Sequence, residues 1–248
     1  MSTAKEIITE LERLFPNELR AKWDTTDGLI SGDIDSEVKN VTLTLEFREN
    51  ITPKDSDMIL LHHPPIFGHE KQVTNPFYKR LSTDDKTVYT IHSRLDKSGF
   101  VNKAIAESLF KTEGYVVLKI LEDGTAIIEL NDMHKMSVLM ELIKQKLKLT
   151  TLNHIIKKEN IRRIAIHGGE GFNQHHVVDA MKESVDLYLA GDLSHHLAEH
   201  AHFFDSNFID IGHFSEQEGM KNSAELLKKK FHDVNFKYVE QSPLWVNL

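Results

Sequence analysis

A chain of 248 residues, of which 40% are hydrophobic, is long enough to bury a sizeable core. Its net charge of -8 comes with no basic block, which disfavours nucleic acids and anionic membrane surfaces as partners. The sequence contains no cysteine, so disulfides and thiolate metal sites are excluded, and imidazole and carboxylate groups remain as the strong metal ligands.

The N-terminal segment predicts an amphipathic helix. Thr3 and Glu6 have the spacing of a capping box, and apolar residues recur at helical spacing as far as Phe15, before Pro16. This pattern lacks the continuous apolar stretch of a secretory signal, and no apolar run approaches the roughly 18 residues of a membrane span. These features predict a cytoplasmic protein.

Predicted strands and helices then alternate through the first part of the chain. The apolar patterns predict strands at 41–47, 57–61 and 87–91, and helices at 77–81 and 101–110. A hairpin at 115–121 and 125–130 and a helix at 135–147 follow them.

The second part of the chain repeats this alternation. It has predicted strands at 161–166, 187–190 and 208–211 and predicted helices at 174–181, 193–201 and 217–230. The order predicts an α/β fold of two similar halves with largely parallel sheets. We place the halves at 1–120 and 121–248, with the option that the last strand returns to the first half.

Four predicted strands end in side chains that can bind a metal. In α/β sheets the carboxyl ends of the strands line the crevice where ligands bind, so a metal site is expected in that cleft. The residues at these ends are His62 and His63, His92 followed by Asp96, Asp192, and His213.

Spacing within the motifs points to a pair of divalent ions. His213 and Glu216 are three residues apart, which places both side chains on one helical face, although Glu218 is an alternative to Glu216. Asp96 could bridge two ions through its two oxygens. Together with His62 and His63 these residues supply three imidazoles and two carboxylates and leave positions open, which favours catalysis over a structural role.

Four motifs resemble those of the Nif-three-like dinuclear-metal family, the type 2 GTP cyclohydrolase I homologues. They are LLHHPPIF at 60–67, IHSRLD at 91–96, AGDLSHH at 190–196 and DIGHFSE at 210–216. The resemblance implies that His62, His63, Asp96, His213 and Glu216 hold the two metals, in a short family member that assembles as a toroidal homohexamer. It also implies GTP cyclohydrolase I activity, in which water opens the guanine ring at C8, formate leaves and dihydroneopterin triphosphate is formed.

Two of the motifs depart from the family pattern. The early loop reads WDTTDGL at 23–29, one residue longer than the family's W-D-N-x-G-L and without its Asn. The family's H-T-N-L-D is HSRLD here, which puts Arg94 beside the proposed site. The ligand set suits zinc first, with iron(II) or manganese as alternatives.

Other residues could support the site. His92 and His196 are candidates to orient ligands or to move protons, and Asp192 could orient a histidine, although capping the helix that follows it is the favoured interpretation. The candidates to bind a substrate phosphate are Arg94, Lys97 and Lys71. Two alternatives stay open: a dinuclear phosphoesterase or other metal hydrolase, and a metal-binding or interaction protein without catalytic activity in a toroidal oligomer.

Overall fold

The computed structural model describes residues 1–48, 55–65 and 86–242. The predicted helix at 77–81 and the phosphate candidate Lys71 lie outside these residues. Within them, no helix combines the length and the apolar composition that crossing a bilayer requires.

Seven α-helices are described. In chain order they are α1 (Ala4–Leu14), α2 (Ser93–Lys97), α3 (Phe100–Phe110), α4 (Met136–Leu147), α5 (Gln174–Met181), α6 (His195–Ala201) and α7 (Gln217–Lys230). The first begins with the predicted capping box, in which Glu6 N–H donates to Thr3 Oγ1 and Thr3 N–H donates to Glu6 Oε2. Its apolar face, with Ile7 and Leu11, is buried.

The chain forms two compact units. The first contains Met1–Leu95 and Met220–Gln241, and the second is built from Asp96–Gly219. The division therefore falls after Leu95, whereas the sequence analysis placed it after residue 120. As a result α3 belongs to the second unit.

The first unit contains a five-stranded sheet in the order β1-β4-β3-β2-β11. β2, β3 and β4 are parallel, β11 adds in parallel beside β2, and β1 pairs antiparallel with β4. All four residues of β3 are buried, as expected for a central parallel strand. The strands are β1 (Gly28–Ser31), β2 (Asn40–Thr44), β3 (Met58–Leu61), β4 (Thr87–Thr90) and β11 (Asn235–Tyr238).

The second unit contains a six-stranded sheet in the order β5-β6-β8-β9-β10-β7. Its centre, β8, β9 and β10, is parallel, and the outer pairs are antiparallel. The strands are β5 (Tyr115–Ile120), β6 (Ala126–Lys135), β7 (His154–Ile155), β8 (Asn160–His167), β9 (Leu187–Ala190) and β10 (Asn207–Asp210). Phe172, Tyr188 and Phe208 lie in its hydrophobic core.

The predicted α/β class with two sheets is confirmed. The sequence analysis did not identify β7, which has only two residues, or the edge strand β1, which begins with a glycine and lacks the buried apolar run of the central strands. It also ended the second hairpin strand at 130, whereas β6 continues to Lys135 past an irregularity in its pairing with β8.

Candidate metal centre

Three histidines meet at one edge of the first unit's sheet. β3 and β4 are parallel neighbours, so their carboxyl ends place His62, His63 and His92 side by side. The ring centroid of His62 lies 4.7 Å from that of His63 and 5.4 Å from that of His92. Each ring offers a nitrogen within 4.8 Å of the nitrogens of the other two, and all three residues are buried. This group could hold a metal ion.

The tautomers of His62 and His63 follow from their neighbours. His62 Nδ1 lies 3.1 Å from the carbonyl oxygen of Ile91, and His63 Nδ1 lies 2.7 Å from Glu46 Oε1. Carbonyl and carboxylate oxygens only accept hydrogen bonds, so we assign the proton of each ring to Nδ1 and the lone pair to Nε2. Metal-binding histidines are commonly oriented in this way.

His92 is positioned by the loop that departs from the family pattern. Its Nδ1 lies 3.1 Å from Asp24 Oδ2, and its ring packs edge-on against Trp23 at 5.5 Å. Asp24 Oδ2 also accepts a hydrogen bond from Ser93 N–H. Burial works to raise the pKa of the Asp24 carboxyl, but the interactions with His92 and Ser93 outweigh it and lower that pKa to about 2. The loop thus supplies a buried carboxylate that the sequence analysis did not identify.

Arg94 is turned into the protein interior. It is 1% exposed, its Nε lies 2.9 Å from Asp27 Oδ2, and its Nη2 donates to Tyr89 Oη. Nη1 donates to Asn17 Oδ1 and to the carbonyl oxygen of Phe15. Burial raises the pKa of the Asp27 carboxyl despite the nearby guanidinium. Because every guanidinium nitrogen faces a protein group, Arg94 is not available to bind a phosphate, contrary to the expectation from the sequence.

His213 and Glu216 occupy a 3₁₀ helix in the second unit, after β10. The predicted helix at 217–230 is observed as α7, and His213 and Glu216 lie just before it, at its mouth as expected, but in a 3₁₀ helix of their own. In a 3₁₀ helix residues three apart lie directly above one another, and Glu216 Oε2 is 3.4 Å from His213 Nε2. Glu216 is buried, whereas 30% of the His213 side chain is exposed.

Asp192 orients His213. β9 and β10 are parallel neighbours, and Asp192 Oδ2, beyond the end of β9, lies 2.6 Å from His213 Nδ1. This again assigns the proton to Nδ1 and the lone pair to Nε2, which faces Glu216. The expectation that Asp192 caps the next helix was wrong. Ser194 is the N-cap of α6 and accepts from Leu197 N–H.

The glycine-rich turn after β8 makes room for Glu216. Gly169 has a φ of +63°, and a Cβ built on it would lie 1.8 Å from Glu216 Oε1. Only glycine therefore fits here, for reasons of both conformation and space. The Gly-Gly-Glu-Gly segment thus forms a tight turn against a predicted ligand.

The remaining predicted residues also lie in the second unit. Asp96 is partly buried at the end of α2, followed by Lys97, and its carbonyl oxygen accepts from Gly99 N–H. Asp192 and His196 line an open cavity of about 350 Å³, together with Glu170. Of the five predicted ligands, the structure thus brings together His62 with His63 in the first unit and His213 with Glu216 in the second.

Comparison with known proteins supports one family for the whole chain. Residues 2–243 match the family Duf34/NIF3 (NGG1p interacting factor 3). A Campylobacter jejuni protein named "GTP cyclohydrolase 1 type 2 homolog" is 30% identical over 86% of each chain. A Helicobacter pylori protein named "GTP cyclohydrolase 1 type 2" is 27% identical over 95% of this chain and 94% of that protein.

Solved structures share the fold. The Staphylococcus aureus hypothetical protein SA1388 covers 99% of both chains with a TM-score of 0.86 at 21% identity. Reduced HcgD from Methanocaldococcus jannaschii aligns with a TM-score of 0.79 at 24% identity, over 97% of this chain and 98% of that chain. The extent of the family match, together with these relatives, shows that the chain belongs to the Duf34/NIF3 family.

Proposed function

We propose that this protein is a dinuclear metal-dependent hydrolase of the GTP cyclohydrolase I type. The observation that carries the proposal is the shared orientation of three predicted ligand imidazoles. In His62, His63 and His213, Nδ1 faces a carbonyl or carboxylate oxygen, which assigns the lone pair to Nε2.

The residues of the second unit fit a cation. The lone pair of His213 Nε2 faces Glu216 Oε2 at 3.4 Å, although both atoms are electron-rich. Two ligands of one tetrahedral zinc ion, with bonds of about 2.0 to 2.1 Å, are separated by about 3.4 Å. This spacing supports a metal between the two side chains.

In the proposal His62, His63, Asp96, His213 and Glu216 hold two divalent ions, with zinc first and iron(II) or manganese as alternatives. Bound ions of this kind activate water at neutral pH and polarise the group that it attacks. The protein's own contribution is to fix the ligands, since Asp192 and Glu46 orient two of the imidazoles before any metal arrives.

We assign proton transfer to His92. Its side chain is 11% exposed, and Asp24 holds it beside His62 and His63. A histidine anchored at Nδ1 can accept a proton at Nε2 and return it, as guanine ring opening and the loss of formate require.

The names of the relatives favour GTP as the substrate. Lys97 follows the proposed ligand Asp96 and is the described candidate to contact a phosphate, while Lys71 lies outside the described residues. The cavity beside Asp192 and His196 could admit part of a small substrate. GTP and water would then give formate and dihydroneopterin triphosphate.

A product assay tests this proposal. Purified protein is loaded with zinc, manganese or iron(II), given GTP, and assayed for formate and a pterin. His92→Gln should lower kcat with the metal content unchanged, and His195→Gln, on the exposed surface of α6, is the matched control.

Other outcomes would point elsewhere. Cleavage of a model phosphoester without pterin formation would replace the proposal with a dinuclear phosphoesterase. Bound metal without turnover of either substrate would favour a metal-binding protein that is not an enzyme. Light scattering of the loaded protein would test the expected homohexamer.

A further inference from the structure

A second group of possible ligands lies within the second unit, and it shares no residue with the proposed dinuclear centre. Asp123 is in the turn of the β5–β6 hairpin, His167 is the last residue of β8, and His176 is in the first turn of α5. Each offers one atom within 4.8 Å of those of the other two. Three separate elements therefore converge on one point.

The distances within this group are too long for hydrogen bonds. Asp123 Oδ2 lies 3.8 Å from His167 Nδ1 and 3.9 Å from His176 Nε2. They are slightly longer than the separation of about 3.4 Å between ligands of a tetrahedral zinc ion. A small inward movement of the side chains would bring all three atoms to an ion at their centre.

Only one oxygen of the Asp123 carboxylate accepts a hydrogen bond from the residues that the structure describes. Its Oδ1 accepts from Thr125 N–H, but its buried Oδ2 accepts no hydrogen bond from the residues that the structure describes. A buried carboxylate oxygen without a hydrogen-bond donor lowers the stability of the folded protein, because it has lost its contacts with water. A cation at this position would offset that loss.

A positive charge beside Asp123 does not come from protonation of His167 or His176. Their rings are stacked at 4.3 Å with an interplanar angle of 25°, an arrangement that opposes protonation of both. Burial lowers the pKa of His167 to about 4, and burial likewise lowers the pKa of His176. At neutral pH two uncharged rings thus surround a carboxylate.

We propose that Asp123, His167 and His176 form a separate site for one divalent transition-metal ion of the zinc class. Two imidazoles and one carboxylate select such an ion over magnesium or calcium, which prefer oxygen ligands. Thr125 Oγ1 lies 2.7 Å from His167 Nδ1, the nitrogen that faces Asp123, so the ion would take the place of this hydroxyl at Nδ1. The bound ion would tie the β5–β6 hairpin to the first turn of α5.

Metal counting on the full chain tests this site. The protein is stripped with a chelator, loaded with zinc alone, freed of excess metal and measured by mass spectrometry of the elements. We expect His176→Gln and Asp123→Asn each to bind about one ion fewer per chain than the unchanged protein. His175→Gln, at the exposed neighbouring position, should bind the same number.

Thermal unfolding gives a second readout. Zinc should raise the melting temperature less in His176→Gln than in His175→Gln, because a ligand that binds only the folded state stabilises it. Circular dichroism of the metal-free variants shows whether each has folded, and Asp123→Asn replaces His176→Gln if the latter has not. An unchanged zinc count in a folded variant of either residue would overturn the proposal.

The test is independent of the proposed function. His62→Ala removes a ligand of the dinuclear centre but none of this group. If His62→Ala keeps its full zinc content, the dinuclear proposal fails. The ion lost in His176→Gln would still establish the separate site.

Discussion

The predicted ligand histidines of the two units are held in different surroundings. In the first unit His62 and His63 are buried, and His92 and Asp24 beside them are buried as well. In the second unit the His213 and Asp192 side chains are 30% and 42% exposed. The same kind of contact, from a ring Nδ1 to an acceptor oxygen, is thus buried at His62 and partly exposed at His213. Changes in the buried network should therefore cost more than changes at the exposed pair.

The largest effect is expected at Arg94. Arg94→Met leaves the buried Asp27 carboxylate without its guanidinium, which should lower the free energy of unfolding by about 3 to 5 kcal/mol. Urea unfolding measures the change. The control is Arg162→Met, whose guanidinium lies 3.4 Å from Glu129 with half of its side chain exposed, and it should cost less than about 1 kcal/mol. Equal losses in the two variants would contradict the contrast between the buried network and the exposed surface.

Asp24 should make the first unit sensitive to acid. Its pKa is about 2 in the folded protein against an ordinary value of 3.8, so its contribution is complete above pH 3.8 and is lost as the pH falls through about 2. The difference corresponds to about 2 kcal/mol. The metal-free protein should therefore lose stability over this range, and Asp24→Asn should flatten the profile there. If the stability of Asp24→Asn falls with pH as steeply as that of the unchanged protein, other carboxylates determine the loss of stability in acid.

Gly169→Ala tests how tightly the second unit encloses Glu216. The new Cβ would meet Glu216 Oε1, and alanine would have to adopt the positive φ of this position. We therefore expect the free energy of unfolding to fall by about 2 kcal/mol and zinc binding to be reduced. Gly28→Ala is the control, since Gly28 also has a positive φ but no atom lies within 4 Å of the position that its Cβ would take. It should lose about 1 to 3 kcal/mol and keep its zinc. Normal zinc binding by Gly169→Ala would argue against Glu216 as a ligand.

The smallest effect is expected at the exposed pair. Asp192→Asn keeps an oxygen near His213 Nδ1 but removes the charge, and zinc affinity should fall about tenfold with little change in stability. Competition with a chromophoric chelator measures the affinity. Asp179→Asn, an exposed carboxylate paired with Lys182, should leave the affinity unchanged. A large loss of stability in Asp192→Asn would mean that the two units do not differ in the way described above.

Part of this organisation could be predicted from local patterns. Buried strands that end in His62-His63 and in Gly212-His213 are visible in the sequence, because a strand and the residues after it are contiguous. Within each sheet the parallel order then brings the ends of neighbouring strands together, those of β3 and β4 in the first unit and those of β9 and β10 in the second. The choice of elements and of candidate ligands therefore followed from short-range information.

The partners that orient these side chains could not be predicted in the same way. Asp24 lies 69 residues before the Ser93 amide from which it accepts a hydrogen bond, and Glu46 lies 17 residues before His63. Asp192 and Ser194 are both good capping residues by type, and only the backbone path decides that Ser194 caps α6. Arg94 was a candidate to bind a phosphate because it lies near Asp96 in sequence. Its long side chain could point to solvent or to the core, and in the structure it points to the core, where it pairs with Asp27.

The pairing of β11 with β2 has a consequence for biosynthesis. Asn235 pairs with Asn40, 195 residues earlier, so the sheet of the first unit is incomplete until residues 235–238 have left the ribosome. The strands of the second unit all lie between Tyr115 and Asp210, so all its strand pairs are available sooner. Domains usually fold as units during synthesis. The unit that begins second along the chain is therefore expected to finish folding first. Until β11 has been synthesised, the edge of β2 that it will occupy stays unpaired.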